Sequence, residues 1–337
     1  MPDPYGRVDL RSDTVTRPTP EMRRAMATAE VGDDGFGDDP TVRRLEAEFA
    51  ERLGKERALF VPSGTMANQI ALRVLGAAGT VVLAGRRQHL VVREGAAAGT
   101  NASAQVVTFE DADGTLDPSE LQRWVDDARA GWSAPSAIFV EDSHGEAGGR
   151  VWPVDRLAAV AAVGLPVHLD GARLWNAAVA SGTTVAERAA HATTVTCCIS
   201  KGLGAPIGSL LAGPAELITR ARGERKRLGG GLRQVGILAA AGLVALDRVD
   251  RLVEDHRRAR RLAQAAALRW PGSVDVALVQ TNIVRIHVPD PAALVAHLLS
   301  AGVLAAPGSA TTVRLVTHAD VDDADIDRAA SALGEAP

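Results

Sequence analysis

Apolar positions along the chain fall into short runs of strand length separated by stretches with helical spacing. After Asp39-Pro40, Val42, Leu45, Phe49 and Leu53 recur at intervals of three and four until Gly54, which predicts an amphipathic helix with a proline in its first turn. Strands are expected at 58–62, 80–84, 105–109, 137–141, 167–170, 194–199 and 209–212, with helices such as 117–128 and 154–163 between several of them. Near-continuous apolar strands alternating with helices imply an α/β fold: a mostly parallel, seven-stranded sheet covered by helices on both faces. Past Leu246 the character shifts to a charged helix (250–270), a strand (281–288), a helix (291–301), a strand (312–317) and a last helix, which predicts a small C-terminal α/β domain. The expected division is an N-terminal segment at 1–20, a large domain at 21–246 and a small domain at 247–337.

Composition narrows the class. A chain of 337 residues, 46% hydrophobic, can bury one large core and a smaller one. Its net charge of −4 provides no field for nucleic acid or an anionic membrane. Asp3, Arg7, Asp9, Arg11 and Asp13 stand where a signal peptide would be apolar, and the apolar stretch 235–246 is shorter than the roughly 18 residues of a spanning helix. Cys197 and Cys198 are adjacent in a predicted strand and point to opposite faces, so they form no crosslink. A reducing, cytoplasmic location is expected.

The chemistry concentrates at strand ends, where open parallel sheets bind ligands. The strand 194–199 runs into Ser200-Lys201-Gly202-Leu203-Gly204, and an upstream strand ends in His168-Leu169-Asp170-Gly171-Ala172-Arg173. A lysine amine there can condense with an aldehyde, and an aspartate on a neighbouring strand can keep a pyridine nitrogen protonated, a pairing that suggests pyridoxal phosphate. Ser63-Gly64-Thr65 either cradles a phosphate at a helix N-terminus or simply caps that helix. His89 and His144 each follow a strand and are either surface loop histidines or site residues. Arg314, among apolar neighbours in the strand 312–317, needs either a structural carboxylate or a substrate carboxylate. Gly229-Gly230-Gly231 before Arg233 is a flexible joint or the approach of an arginine to an anion. The basic runs 256–261 and 220–227 are interleaved with or preceded by acidic residues and are expected to be solvated helix faces.

Together these segments resemble the threonine aldolases of the aspartate aminotransferase-like fold, fold type I among pyridoxal-phosphate enzymes. The motifs are Asp9-Leu10-Arg11-Ser12-Asp13-Thr14-Val15-Thr16-Arg17-Pro18, Gly35-Phe36-Gly37-Asp38-Asp39-Pro40, Pro62-Ser63-Gly64-Thr65-Met66-Ala67-Asn68, the segments 168–173, 200–211 and 229–234, and Val313-Arg314-Leu315-Val316-Thr317-His318. The resemblance implies that Lys201 holds the cofactor covalently, Asp170 binds the pyridine nitrogen, Gly64 and Thr65 bind the phosphate, and His89 stacks on the ring. It further implies that Ser12, Arg173 and Arg314 surround the substrate carboxylate and the ring's phenolic oxygen, while Arg233 reaches the phosphate of a neighbouring subunit in a homodimer or homotetramer. The reaction implied is reversible cleavage of L-threonine or L-allo-threonine to glycine and acetaldehyde, with His144 or His89 as base and no metal. The family's Glu-Asn-Thr-His-Asn reads Glu141-Asp142-Ser143-His144-Gly145 here, and Leu90-Val91-Val92-Arg93-Glu94-Gly95 lacks the aromatic residues common after the first histidine. A β-eliminating lyase of the same fold and a non-catalytic cofactor-binding protein are the competing readings.

Overall fold

The computed structural model describes residues 6–76 and 78–336. The first five residues of the expected N-terminal segment therefore lie outside the described ones. Twelve strands are present among them: β1 (Val8–Asp9), β2 (Arg57–Val61), β3 (Val81–Gly85), β4 (Gln105–Phe109), β5 (Pro135–Glu141), β6 (Val167–Asp170), β7 (Thr194–Cys198), β8 (Ser209–Gly213), β9 (Ile283–His287), β10 (Val303–Leu304), β11 (Ala306–Ser309) and β12 (Thr312–Val316).

The large sheet has seven strands in the order β2-β8-β7-β6-β5-β3-β4. Strands β7, β6, β5, β3 and β4 are parallel, and β8 runs antiparallel to both its neighbours. The expected mostly parallel sheet is thus present, with one reversed strand. Side chains alternate between its faces: Phe60, Leu83, Ile138 and Val195 join one buried cluster, while Leu59, Val82, Phe139 and Leu211 join another. Both faces are covered, which is why these strands read as unbroken apolar runs.

Local chemistry fixes the helices that border the site. Asp39 accepts hydrogen bonds from the Thr41 and Val42 amides and Pro40 opens the helix Pro40–Arg52, whose buried face is Val42, Leu45, Phe49 and Ala50. Ser63 caps the helix Gly64–Leu75 through Met66 N.

The C-terminal part carries the antiparallel sheet β11-β12-β9 and the helices Leu252–Arg269, Pro291–Ser300 and Asp323–Glu335. Its sequence-based expectation needs two corrections. The strand expected from residue 281 begins at Ile283; just before it the Thr281 hydroxyl donates to Gly149 O and the Asn282 side-chain amide donates to Asp13 and Thr317 O. The N-terminal residues also form a strand that the pattern does not show: β1 pairs in parallel with β10, and Val8 and Leu10 are buried in one core with Leu262, Val284, Ile286 and Leu315.

Candidate active site

The carboxyl ends of β5, β6 and β7 open onto a cavity of about 240 Å³ whose walls include Ser12, His89, Glu141, Arg173, Lys201 and Arg314. A larger groove of about 460 Å³ lies beside Arg57 and Ala58, at the beginning of β2 and so at the opposite end of the sheet. Both hold a lysine, carboxylates and arginines, but the smaller cavity adds a histidine and lies at the carboxyl ends of the parallel strands, where such sheets bind ligands.

Asp170 ends β6 opposite Glu141, the last residue of β5. Its carboxylate is buried, accepting from the Ala172 amide at 3.0 Å and from Asn68 Nδ2 at 2.7 Å. Burial pushes its pKa up, but the charges of His89 and Lys201 and the Asn68 bond outweigh this and hold it below the usual carboxylate value. Lys201 follows β7, its carbonyl anchored by Thr16 Oγ1 at 3.0 Å and the Gly204 amide.

Arg173 makes a two-pronged ion pair with fully buried Asp13, at 2.7 Å from Nε and 2.6 Å from Nη2. Burial opposes the Asp13 charge, yet Arg173, Lys201 and Asn282 keep its pKa far below the ordinary range. Arg314 differs. Its Nη2 donates to Arg11 O at 3.2 Å, its Nε is buried with no partner, and burial and the like charge of Arg173 push its pKa down. The structural salt bridge that would explain this arginine is not formed among the described residues.

The two histidines part company. His89 lines the cavity; its backbone N–H donates to Glu141 Oε2 at 2.6 Å and its Nδ1 lies 2.9 Å from Glu94 Oε1. That bond raises the His89 pKa against the effect of burial. His144 is fully buried outside the cavity, with Nε2 at 2.9 Å from Asp111 Oδ2 and Nδ1 accepting from the Ala147 amide. Both of its ring nitrogens are thus engaged within the protein, whereas His89 Nε2 has no such partner among the described residues.

Gly64 and Thr65 begin the helix beside the end of β7 and do not line the cavity. A Cβ at Gly64 would stand 2.9 Å from Cys198 Sγ, so only glycine lets this helix start approach the sheet. Arg233 also lies outside the cavity; its side chain is 74% exposed and only loosely paired with Asp33, at 3.3 Å. Sequence reasoning passed over Asp13, Asn68, Glu94, Glu141, Arg93 and Glu146. Glu141 was findable, since it ends a predicted strand beside Asp170. Arg93 and Glu146 pair at the cavity wall, and Glu146 also holds Arg285 at 2.6 Å.

Atoms of His89, Glu94 and Asp170 lie within 4.8 Å of one another, a spacing a cation could bridge, although the Asn68 amide already bonds both carboxylates. The arrangement fits pyridoxal phosphate on its own chemistry: an amine for an aldehyde, an ionised buried carboxylate for a pyridinium, and a helix start near the same strand end for a phosphate.

Comparison with known proteins agrees. The beta-eliminating lyase family model matches residues 9–289. Low-specificity L-threonine aldolase 1 of Arabidopsis thaliana is 40% identical over 95% of this chain and 93% of its own length. The low specificity L-threonine aldolase of Escherichia coli K12 is 41% identical over 93% and 94%. In fold, the chain matches Leishmania major threonine aldolase with a TM-score of 0.80 at 20% identity, covering 97% of this chain and 98% of that one. Sphingomonas wittichii serine palmitoyltransferase shares the fold with a TM-score of 0.76 at 17% identity, over 98% of this chain and 87% of that one. With a family model spanning most of its length and relatives this similar from end to end, the chain belongs to the beta-eliminating lyase family, among its low-specificity L-threonine aldolases.

Proposed function

We propose that this enzyme uses pyridoxal phosphate to cleave L-threonine, L-allo-threonine and related β-hydroxy-α-amino acids to glycine and an aldehyde. The observation that carries the reading is Arg314: a half-buried arginine whose buried Nε lacks a partner, in the same cavity as Lys201. An α-amino acid answers both, with a carboxylate for the arginine and an amine to exchange with the lysine.

When bound, pyridoxal phosphate supplies an aldehyde that joins an amine and a ring that accepts the electron pair of the broken Cα–Cβ bond. Lys201 would hold the cofactor through its primary amine. Asp170, ionised by its surroundings, would be the partner of the ring nitrogen. Arg314 and Ser12 take the substrate carboxylate and so fix which bond at Cα stands ready to break. Arg173, oriented by Asp13, serves the carboxylate and the ring's phenolic oxygen. His89 would stack on the ring and take the β-hydroxyl proton at Nε2, because Nδ1 is engaged by Glu94. Gly64 and Thr65 offer the helix start to the phosphate, and Arg233 completes the phosphate site of a second copy in a homodimer or homotetramer. We further assign the division 1–20, 21–246 and 247–337 to the chain, with the first segment contributing Ser12. No helix among the described residues is long and apolar enough to cross a membrane, and two free, buried cysteines fit a reducing compartment, so we place the enzyme in the cytoplasm.

Purified protein supplied with pyridoxal phosphate and offered L-threonine, L-allo-threonine, their D-isomers and phenylserine tests the substrate class. Aldehyde release from the L-isomers supports it; turnover confined to D-isomers, or to amino acids without a β-hydroxyl, overturns it.

A further inference from the structure

Under Asp170 and His89 runs a chain of buried polar side chains that the roles above leave without a task. Asn68, 2% exposed, donates from one Nδ2 to Glu94 Oε1 at 2.8 Å and to Asp170 Oδ2 at 2.7 Å. Its Oδ1 lies 3.0 Å from His168 Nε2, and His168 Nδ1 lies 2.9 Å from Thr194 Oγ1. Gln69 Nε2 donates to the other Glu94 oxygen at 2.8 Å.

The directions of these bonds follow from chemistry. Turning the Asn68 amide over would set its oxygen against two carboxylates, so its NH2 group faces Glu94 and Asp170 and spends one hydrogen on each. Its oxygen then needs a donor, so the His168 proton is on Nε2 and the Thr194 hydroxyl donates to Nδ1. Burial lowers the His168 pKa to about 4, in keeping with a neutral ring. An ionised Glu94 accepts only, so its bond to His89 is donated by Nδ1–H.

We propose that Asn68 and Glu94 are positioning residues: one amide ties Glu94 to Asp170, and Glu94 holds the His89 proton on Nδ1 so that Nε2 is the nitrogen left to exchange a proton in the cavity. This rests on His89 acting as the base. The charged groups facing His89 are Glu94, Asp170 and Lys201, with Glu141 on its backbone N–H. The two carboxylates favour its protonated form and Lys201 opposes it.

The full-length protein, labelled with ¹⁵N-histidine and observed before and after loading with pyridoxal phosphate, reads the ring directly; His89→Asn assigns the signal. Wild type should show the Nδ1–H tautomer and a midpoint above the ordinary value of about 6.5. Glu94→Gln should lower that midpoint and mix the tautomers. Its kcat/KM should gain an acid limb at correspondingly lower pH, with kcat reduced about tenfold by a weaker base. Asn68→Leu should weaken pyridoxal phosphate binding about tenfold by unsettling Asp170. A folded Glu94→Gln protein with the wild-type tautomer and midpoint overturns the proposal. If the ring titration moves while the kcat/KM limb stays, the relay stands and the assignment of His89 as base falls.

Discussion

Asp170 ends β6 and Lys201 follows the neighbouring β7, and the charge of the lysine helps keep the aspartate ionised. Lys201→Ala should therefore remove the borohydride-reducible link to the cofactor and cut turnover by roughly a thousandfold or more, read by absorbance and by glycine release. Arg314→Lys keeps the charge but loses the planar fork; KM should rise about tenfold while the cofactor spectrum stays put. The histidines give a sharper contrast. His89→Asn should lower kcat by about 10² or more. His144→Asn should act on stability, lowering the melting temperature while kcat changes far less, because His144 is locked between Asp111 and the Ala147 amide. The pH response of His168 has a definite sign. Its folded pKa of about 4 lies below its unfolded value of about 6.5, so its share of stability is complete above about 6.5 and drains as pH falls toward 4. His89 and His144, with raised pKa values, act in the opposite direction. The clean check is thus the His168 ring signal itself, which should stay neutral down to about pH 5.

The helix Gly64–Leu75 starts against the end of β7, and its closeness there depends on one missing methyl group. Gly64→Ala should push that helix start off Cys198 and weaken cofactor binding about tenfold, and Cys198→Ala in the same chain should restore much of it. Unaltered binding in the single variant would detach this helix start from the phosphate. The inner strands of the large sheet were legible because burial on both faces leaves them largely apolar, whereas the edge strand β4 is only partly buried. β1 was not, since two residues show no period and its partner β10 lies at the far end of the chain. The same limit applies to the site. Strand ends put Asp170, Lys201 and His144 on the right rim of the sheet, but Asp111, from the loop after β4, is what turns His144 inward. Asn68 and Glu94 sit in stretches whose pattern gives no sign of a role; only the folded geometry brings them to Asp170 and His89.

Across the whole molecule, Arg233 stands apart from the other proposed site residues, exposed and loosely paired. If it serves a second copy, mixing Arg233→Ala with Lys201→Ala under conditions that exchange subunits should return activity from two defective parents, since each mixed dimer then holds one intact site. Demonstrated mixed dimers without activity would refute the shared site. Which bond breaks is read most directly from the mass balance of L-threonine consumed by the purified, cofactor-loaded enzyme. Each threonine should yield one glycine and one acetaldehyde with no ammonia, and both products should be lost in Lys201→Ala. Ammonia and a keto acid in place of glycine would contradict it and assign the chain to β-elimination.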